Sequence, residues 1–157
     1  MTFTEYLKSI NACSDAIEWA ESKTVEEVVA TCHRGDWLLW LASKCDIGLQ
    51  PLTLAKGHCA NTVRHLLKDD RSIKAVDTAI AFGEGRATRE ELDAAYAAAY
   101  AAAYAYAAYA AAAADAYYDA DAAAAIENRL QTADICRKYI GDLIIQKVNS
   151  IINPTQL

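Results

Sequence analysis

The chain has 157 residues and a formal net charge of −6, which suits one domain with one core and disfavours non-specific binding to nucleic acid, because a phosphate backbone requires Lys and Arg. Neither a signal peptide, with its basic start and apolar run, nor a segment apolar enough to span a membrane is evident, so we expect a cytoplasmic protein. The five cysteines are scattered and odd in number, which favours reduced thiols over a disulfide framework.

Helical periodicity extends along the chain, and no segment convincingly has the alternation of a β-strand. Thr2 and Glu5 have the spacing of a capping box, in which each side chain bonds to the backbone of the other residue, and the same spacing recurs after Thr24 and after Thr88. Gly141 is expected to end a helix. The pattern predicts helices over residues 3–21, 25–32, 36–44, 51–68, 72–82, 88–139 and 142–151. We therefore predict an all-α fold, a compact multi-helix domain around one long alanine-rich central helix, with no sheet.

An alanine-rich tract covers residues 93–125, and alanine makes up 22 of the 32 residues from 94 to 125. Because alanine has the highest helix propensity, the tract is predicted to be helical, with a bend expected near Tyr117 to Asp121. On a helical wheel, its first turns leave an alanine-only stripe that lets another helix approach closely. On the wheel, Tyr96, Tyr100 and Tyr104 lie along one flank of that stripe. We favour a packing role, with a tyrosine binding surface as the alternative.

A second group of candidate residues lies where the helix predicted over 25–32 meets the next one. His33 and Arg34 precede a Gly-Asp turn, Asp36 can cap the following helix, and Trp37 and Trp40 share one face of that helix. A guanidinium beside aromatic rings can hold a phosphate, a carboxylate or a planar base. The simpler interpretation, which we favour, is that both tryptophans belong to the core and that Arg34 forms an ion pair.

Further positive charge lies in the middle and near the end of the chain. Basic residues cluster from Lys56 to Lys74 around Arg64, and Lys44 and Arg137 add to them. An anionic ligand would bind where such charge is concentrated. The candidate binding residues are therefore His33, Arg34, Asp36, Trp37, Trp40, Lys44, Arg64, Arg137, Tyr96, Tyr100 and Tyr104.

The sequence contains no recognisable catalytic motif and no convincing metal site. Cysteine and histidine occur as the adjacent pairs Cys32-His33 and His58-Cys59, and adjacent residues seldom bind one ion. Neither Gly-x-Ser-x-Gly, nor a Walker loop, nor His-Glu-x-x-His is present. We expect a protein that is not an enzyme and that uses no metal or cofactor.

The order of these features resembles that of a known family. CSDAIEWA precedes CHRGDWLLWLASK, a helix with histidine and arginine follows, then comes the alanine-rich helix, and TADICRKYI closes the set. The most specific pieces are Arg34 to Trp37 with Trp40, and Ala133 to Arg137 with Tyr139. The pattern resembles the fifth immunity-protein family of bacterial polymorphic toxin systems, whose members also occur in phage genomes. The resemblance implies an all-α, non-catalytic protein that binds and neutralises a cognate toxin in a bacterial cell.

Two other functions also fit these residues. A phage counter-defence protein would inhibit an immune effector or sequester a nucleotide signal, for which cations beside aromatic rings are suited. An oligomeric helical scaffold would pack its alanine stripe against a second copy across a two-fold axis. The expected partner is therefore a protein toxin or defence effector, with a small anionic nucleotide or a second copy of the chain as alternatives.

Overall fold

Helices form the regular structure of the computed structural model, which describes residues 1–110 and 120–154, with side chains described for 1–101 and 126–154. These ranges contain no β-strand, so the predicted all-α fold class is confirmed. None of the described helices combines the length and hydropathy that a bilayer crossing requires. The helices are α1 Phe3–Ser9, α2 Ser14–Trp19, α3 Val25–Thr31, α4 Gly35–Lys44, α5 Leu49–Asn61, a 3-10 turn Arg64–Leu66, α6 Asp70–Gly83, α7 Arg89–Ala110 and α8 Ala120–Ile152.

All three predicted capping boxes form. In the first, the Glu5 amide donates to the Thr2 hydroxyl at 3.1 Å and the Thr2 amide donates to the Glu5 carboxylate at 2.7 Å. These bonds satisfy backbone donors that the first helical turn leaves without a partner. The reciprocal bonds join the pairs Thr2–Glu5, Thr24–Glu27 and Thr88–Glu91. The local sequence therefore sets where α1, α3 and α7 begin.

The helix predicted over residues 3–21 is wrong, because α1 and α2 are separate helices. Asn11 has φ 58, in the left-handed region, and stands just after the end of α1. The Ala12 amide bonds to the Leu7 carbonyl at 3.0 Å and the Asn11 amide to the Lys8 carbonyl at 3.1 Å, which is a Schellman motif. Asparagine tolerates this conformation better than most residues, so the chain turns here although the apolar periodicity continues.

Two predicted boundaries in the middle of the chain also differ from the structure. The helix predicted over 51–68 ends at Asn61 and is followed by the short 3-10 turn, and α5 begins before Pro51 at Leu49. The next helix starts at Asp70, where the Asp69 side chain accepts a bond from the Arg71 amide. The Asp69 side chain is thus the cap that sets the start of α6.

The predicted helix end at Gly141 is wrong, because α8 continues through it to Ile152, so that residues 142–151 are not a separate helix. A Cβ atom at position 141 would lie 3.1 Å from Val29 Cγ1, so the glycine permits α3 to approach α8 closely. Residues 111–119 lie outside the described residues. They include most of the bend predicted near Tyr117 to Asp121, and the continuity predicted over 88–139 depends on them.

The central position in the packing belongs to α8, whose neighbours include α1, α3, α4 and α5. Its buried side chains recur every three or four residues and are at most 1% exposed: Ala133, Cys136, Ile140, Ile144 and Val148. The part of the alanine-rich tract in α7 packs on α6, which packs on α5. The helix predicted over 88–139 includes the first part of α8 as well as α7, so the central position of one long alanine-rich helix stays a prediction.

Candidate functional site

The candidate site begins at the start of α4, where Gly35 brings the chain against α8. A Cβ atom at this position would lie 2.4 Å from Thr132 Oγ1 and 2.6 Å from the Thr132 carbonyl carbon, so only glycine fits without a shift of one helix. The Cys136 thiol donates to the Gly35 carbonyl at 3.6 Å. This close contact fixes the positions of Arg34 and Asp36 on either side of the glycine.

Arg34 and Asp36 form a two-pronged ion pair. Arg34 Nε lies 2.8 Å from Asp36 Oδ1, and the second guanidinium nitrogen lies 2.5 Å from Oδ2. The hydrogen bond from Arg34 is the main cause of the lowered pKa of Asp36, so the carboxylate stays ionised at neutral pH. The same guanidinium lies 4.8 Å from the centroid of the Trp37 ring. Two guanidinium nitrogens of Arg34 therefore already donate hydrogen bonds within the chain.

Three aromatic rings meet beside this ion pair. The Trp19 centroid lies 5.8 Å from that of His33 and 6.0 Å from that of Trp37, and the His33 and Trp37 centroids are 6.2 Å apart. The edge-to-face and tilted arrangements are those that aromatic pairs prefer. Trp19 comes from α2 and Trp37 from α4, so the cluster joins two helices.

A cation lies over a face of each tryptophan in the cluster and of its neighbour Trp40. Lys23 Nζ is 4.7 Å from the Trp19 centroid and also donates to the Trp19 carbonyl, and Lys44 Nζ is 5.6 Å from the Trp40 centroid. Cations at such distances are attracted by the ring quadrupole. The indole rings are therefore held in position before any ligand arrives.

An apolar pocket of about 490 Å³ opens between α4 and the α1–α2 pair, and we call it the tryptophan pocket. Its size is that of a site for a small molecule or for a large side chain. All three tryptophans of the chain line it. The lining residues are Phe3, Leu7, Asn11, Ala12, Cys13, Ala16, Trp19, Ala20, Val28, Cys32, Asp36, Trp37, Leu38, Trp40 and Leu41.

The structure bears on the simpler interpretation of the tryptophans, whereas the ligand-binding interpretation stays a prediction. Trp37 and Trp40 pack against the core but stay half-buried, and Arg34 does form an ion pair. The exposed parts of the rings, together with the exposed His33, remain available to a partner. The structure thus brings together five of the predicted site residues, and Lys44 joins them through Trp40.

Arg137 has a structural role at the end of α3. Its guanidinium donates to the Cys32 carbonyl at 2.7 Å, to the Val29 carbonyl at 3.4 Å and to Asp134 at 2.5 Å. Such bonds satisfy the carbonyls that a helix leaves open at its C-terminus. Arg137 is therefore already engaged by the fold.

Arg64 pairs with Asp77 on α6, through two bonds of which the longer is 2.9 Å. Neither residue lines the tryptophan pocket. The described structure therefore does not gather the predicted cations at positions 34, 64 and 137 into one anion site.

The predicted tyrosine surface belongs to α7, a helix that does not line the tryptophan pocket. Tyr96 is 43% exposed and Tyr100 is 67% exposed. Partial burial raises the pKa of the Tyr96 hydroxyl. The side chain of Tyr104 lies outside the described residues, so its predicted role stays a prediction.

Sequence reasoning missed Trp19 and Asn11 as site residues. Lys23 follows Trp19 by four residues, a spacing at which side chains in and near a helix meet, and this was the available signal. No local signal identifies Asn11, because it reaches the pocket only through the turn that separates α1 from α2.

The buried thiols Cys59 and Cys136 lie 3.9 Å apart between α5 and α8. The hydrogen bond with Cys59, with burial as the second cause, raises the pKa of Cys136 above its usual range. Among the described side chains, no group of three or more His, Cys, Asp or Glu residues is placed to hold a metal ion. This pair is accordingly part of the helix packing.

Comparison of the chain with protein-family models, with curated proteins and with solved structures finds no match. The resemblance of the sequence to an immunity-protein family therefore stays a prediction. The tryptophan pocket and the net charge of −6 are the features from which we infer a function.

Proposed function

We propose that the protein is a non-catalytic inhibitor that binds and neutralises a protein toxin or defence effector in a bacterial cell. The observation that carries this proposal is the gathering of all three tryptophans, half-buried, around one apolar pocket. Tryptophan and arginine are the residues most enriched among those that dominate the binding energy of protein interfaces.

The pocket supports tight binding because its walls are formed in advance. Trp19 and Trp37 pack against each other, and Lys23 lies over the Trp19 ring. When a partner inserts a side chain, few side chains of the pocket itself still have to be ordered. Less of the binding energy is therefore lost to ordering them. The floor of the pocket consists of core side chains such as Leu38, which is 1% exposed.

The charge of the chain supports a basic partner. The net charge is −6, so a basic toxin of the nuclease type would be steered towards the protein by long-range attraction. Asp36 contributes a carboxylate at the pocket itself, with 56% of its side chain exposed. Steering of this kind raises the association rate and weakens as salt is added.

A second candidate function is the capture of a small anionic nucleotide signal. Lys23, Arg34 and Lys44 each lie over an indole ring, and cations beside aromatic faces suit a nucleotide. We place it second because Asp36 compensates the charge of Arg34. Pairing with a second copy of the chain through α7 is a further alternative, and light scattering tests it.

The proposal is tested by protection of bacterial cells that express the protein and are challenged with a panel of basic nuclease toxins and of defence systems. We expect the wild-type protein to rescue growth against one member of the panel and Trp37→Ala to lose the rescue. Tyr100→Ala, which removes an exposed aromatic ring from α7, should keep it. Circular dichroism melting of each variant separates loss of binding from loss of folding.

The opposite pattern would assign the binding surface to another part of the molecule. If Tyr100→Ala loses the rescue while folded Trp37→Ala keeps it, then the tyrosine surface on α7 binds the partner. If the wild-type protein rescues no member of a broad panel, neutralisation of a toxin or effector is not its function.

A further inference from the structure

Asp36 is the single charged residue among the described residues that line the tryptophan pocket. Its carboxylate is held by Arg34, whose guanidinium also lies 4.8 Å from the centroid of the Trp37 ring. Arg34 thus has the two neighbours that a guanidinium binds best, a carboxylate and an indole face. A guanidinium supplied from outside would find the same two neighbours.

We propose that the pocket receives an arginine side chain of the partner protein, whose guanidinium replaces that of Arg34 on Asp36. This inference rests on the proposed function and names the chemistry of the group that the partner inserts. Arg34 occupies the position in the free protein and swings out to solvent when the partner binds. The pocket is therefore a site for a basic side chain with an apolar stem.

Arg34 is well placed to be displaced. Its partner is only two residues away, and side-chain exposures of 26% for Arg34 and 56% for Asp36 leave the pair open to water. An incoming guanidinium restores the same fork on Asp36, so the exchange of one guanidinium for another loses little ion-pair energy. An external guanidinium that also buries an apolar stem gains contacts that Arg34 does not make.

The walls of the pocket suit an arginine more than an anion. The stem of an incoming arginine would contact Ala16, Trp40 and Leu41, which are apolar lining residues. The α2 wall belongs to a segment with exposed acidic side chains, Asp15, Glu18 and Glu21. Two other cations near the pocket, Lys23 and Lys44, lie against their own indole rings, and Arg129 is close enough to contribute to the lowered pKa of Asp36.

Tryptophan fluorescence reports on this site directly, because all three tryptophans of the chain line the pocket. The probe is the peptide acetyl-Gly-Arg-Gly-amide, and its control carries citrulline, which has nearly the shape of arginine without its charge. We expect a saturable fluorescence change with the arginine peptide and none with the citrulline peptide at the same concentrations.

The variant Arg34→Ala gives the sharpest result. If Arg34 competes with the incoming arginine, its removal should tighten peptide binding by about tenfold, the change that corresponds to one charge-assisted hydrogen bond. Asp36→Asn should weaken binding by a similar factor. The matched control is Arg71→Ala, because Arg71 forms the same kind of fork with Asp69, at 3.0 and 2.8 Å, away from the tryptophans. This control should leave the affinity unchanged.

Two results would overturn the inference. Weaker binding of the arginine peptide to Arg34→Ala would mean that Arg34 does not compete for Asp36. Saturable binding of AMP, lost in Arg34→Ala, would instead make the pocket an anion site and favour the nucleotide alternative.

The growth assay separates this failure from failure of the proposed function. If Trp37→Ala abolishes protection but the arginine peptide does not bind, the function holds and the arginine inference fails. If the peptide binds as expected but the wild-type protein protects against no toxin or effector, the function fails and the chemistry of the pocket stands.

Discussion

The tryptophan pocket and the α6–α7 pair are built from different amounts of apolar surface. The helices around the pocket share one cluster of buried side chains with α8 at its centre. Among the side chains that the structure describes in α6 and α7, the buried ones are mostly small and lie outside that cluster: Ala75, Val76, Ala79, Leu92 and Ala95. Since burial free energy scales with apolar area, we expect the two regions to differ in local stability.

The concave surfaces of the two regions differ in the same way. The groove between α6 and α7 has a volume of about 760 Å³ and is lined by charged side chains and alanines, including Arg71, Lys74, Arg86 and Glu91. Water solvates such a groove, whereas the tryptophan pocket offers apolar walls and one carboxylate. Alanine thus supplies helix propensity but too little apolar surface to build a deep apolar pocket.

The largest expected effect comes from truncating one branched side chain in each region. Ile144→Ala in α8, where the side chain is 0% exposed, should lower the free energy of unfolding by about 2–5 kcal/mol. Leu92→Ala in α7, where the side chain is 2% exposed, should cost less, near the low end of that range, because α7 can yield locally. Urea denaturation measures both values.

Hydrogen exchange adds the local view of the same comparison. Amides of α7 should exchange through local openings that cost less free energy than those of α8 around Ile140 and Ile144. Equal losses for the two variants, with equal protection of the two helices, would show that the molecule unfolds as one unit and would remove the distinction.

A smaller effect distinguishes two arginines that the sequence suggested as ligand contacts. Arg137→Ala should destabilise the protein by about 1–3 kcal/mol, because the carbonyls of Val29 and Cys32 lose a charged donor. Arg64→Ala, which removes an exposed ion pair with Asp77, should leave the free energy of unfolding nearly unchanged. If the two variants melt at the same temperature, Arg137 does not stabilise the end of α3.

The smallest perturbation is alkylation of cysteine. Cys13 is exposed and lines the tryptophan pocket, whereas the other four cysteines are buried. Burial raises the pKa of Cys45 to about 11, so this thiol stays protonated and unreactive in mildly alkaline buffer. Iodoacetamide should therefore add to the native protein once, at Cys13, by mass spectrometry, and up to five times after denaturation. An adduct on Cys45, which does not line the pocket, would mean under native conditions that the core opens to the reagent.

Much of the fold could be predicted from local sequence. The capping boxes at Thr2, Thr24 and Thr88 form as predicted, because a cap depends on residues within one helical turn. The errors at Asn11 and Gly141 have a different cause. Whether asparagine turns the chain, or glycine lets a helix approach, depends on what packs there.

The candidate site was predicted only in part, for a related reason. Arg34, Asp36, Trp37 and Trp40 lie within seven residues of one another, so their proximity follows from one turn and one helix. Trp19 lies 15 residues before Arg34, and its contact with Trp37 requires the turn after α1 and the packing of α2. The hydrogen bonds from Arg137 to the carbonyls at the end of α3 join residues more than 100 positions apart.

Local sequence is enough to predict the helical class, the starts of α1, α3 and α7, and the short motif from His33 to Trp40, because each depends on propensity, capping or adjacency. Three features become visible only in the folded chain: α8 lies against four other helices, Gly35 brings α4 onto that helix, and the three tryptophans line one pocket. The physical reason is that burial and close packing depend on residues brought together by the whole fold, and their positions along the chain do not reveal those neighbours.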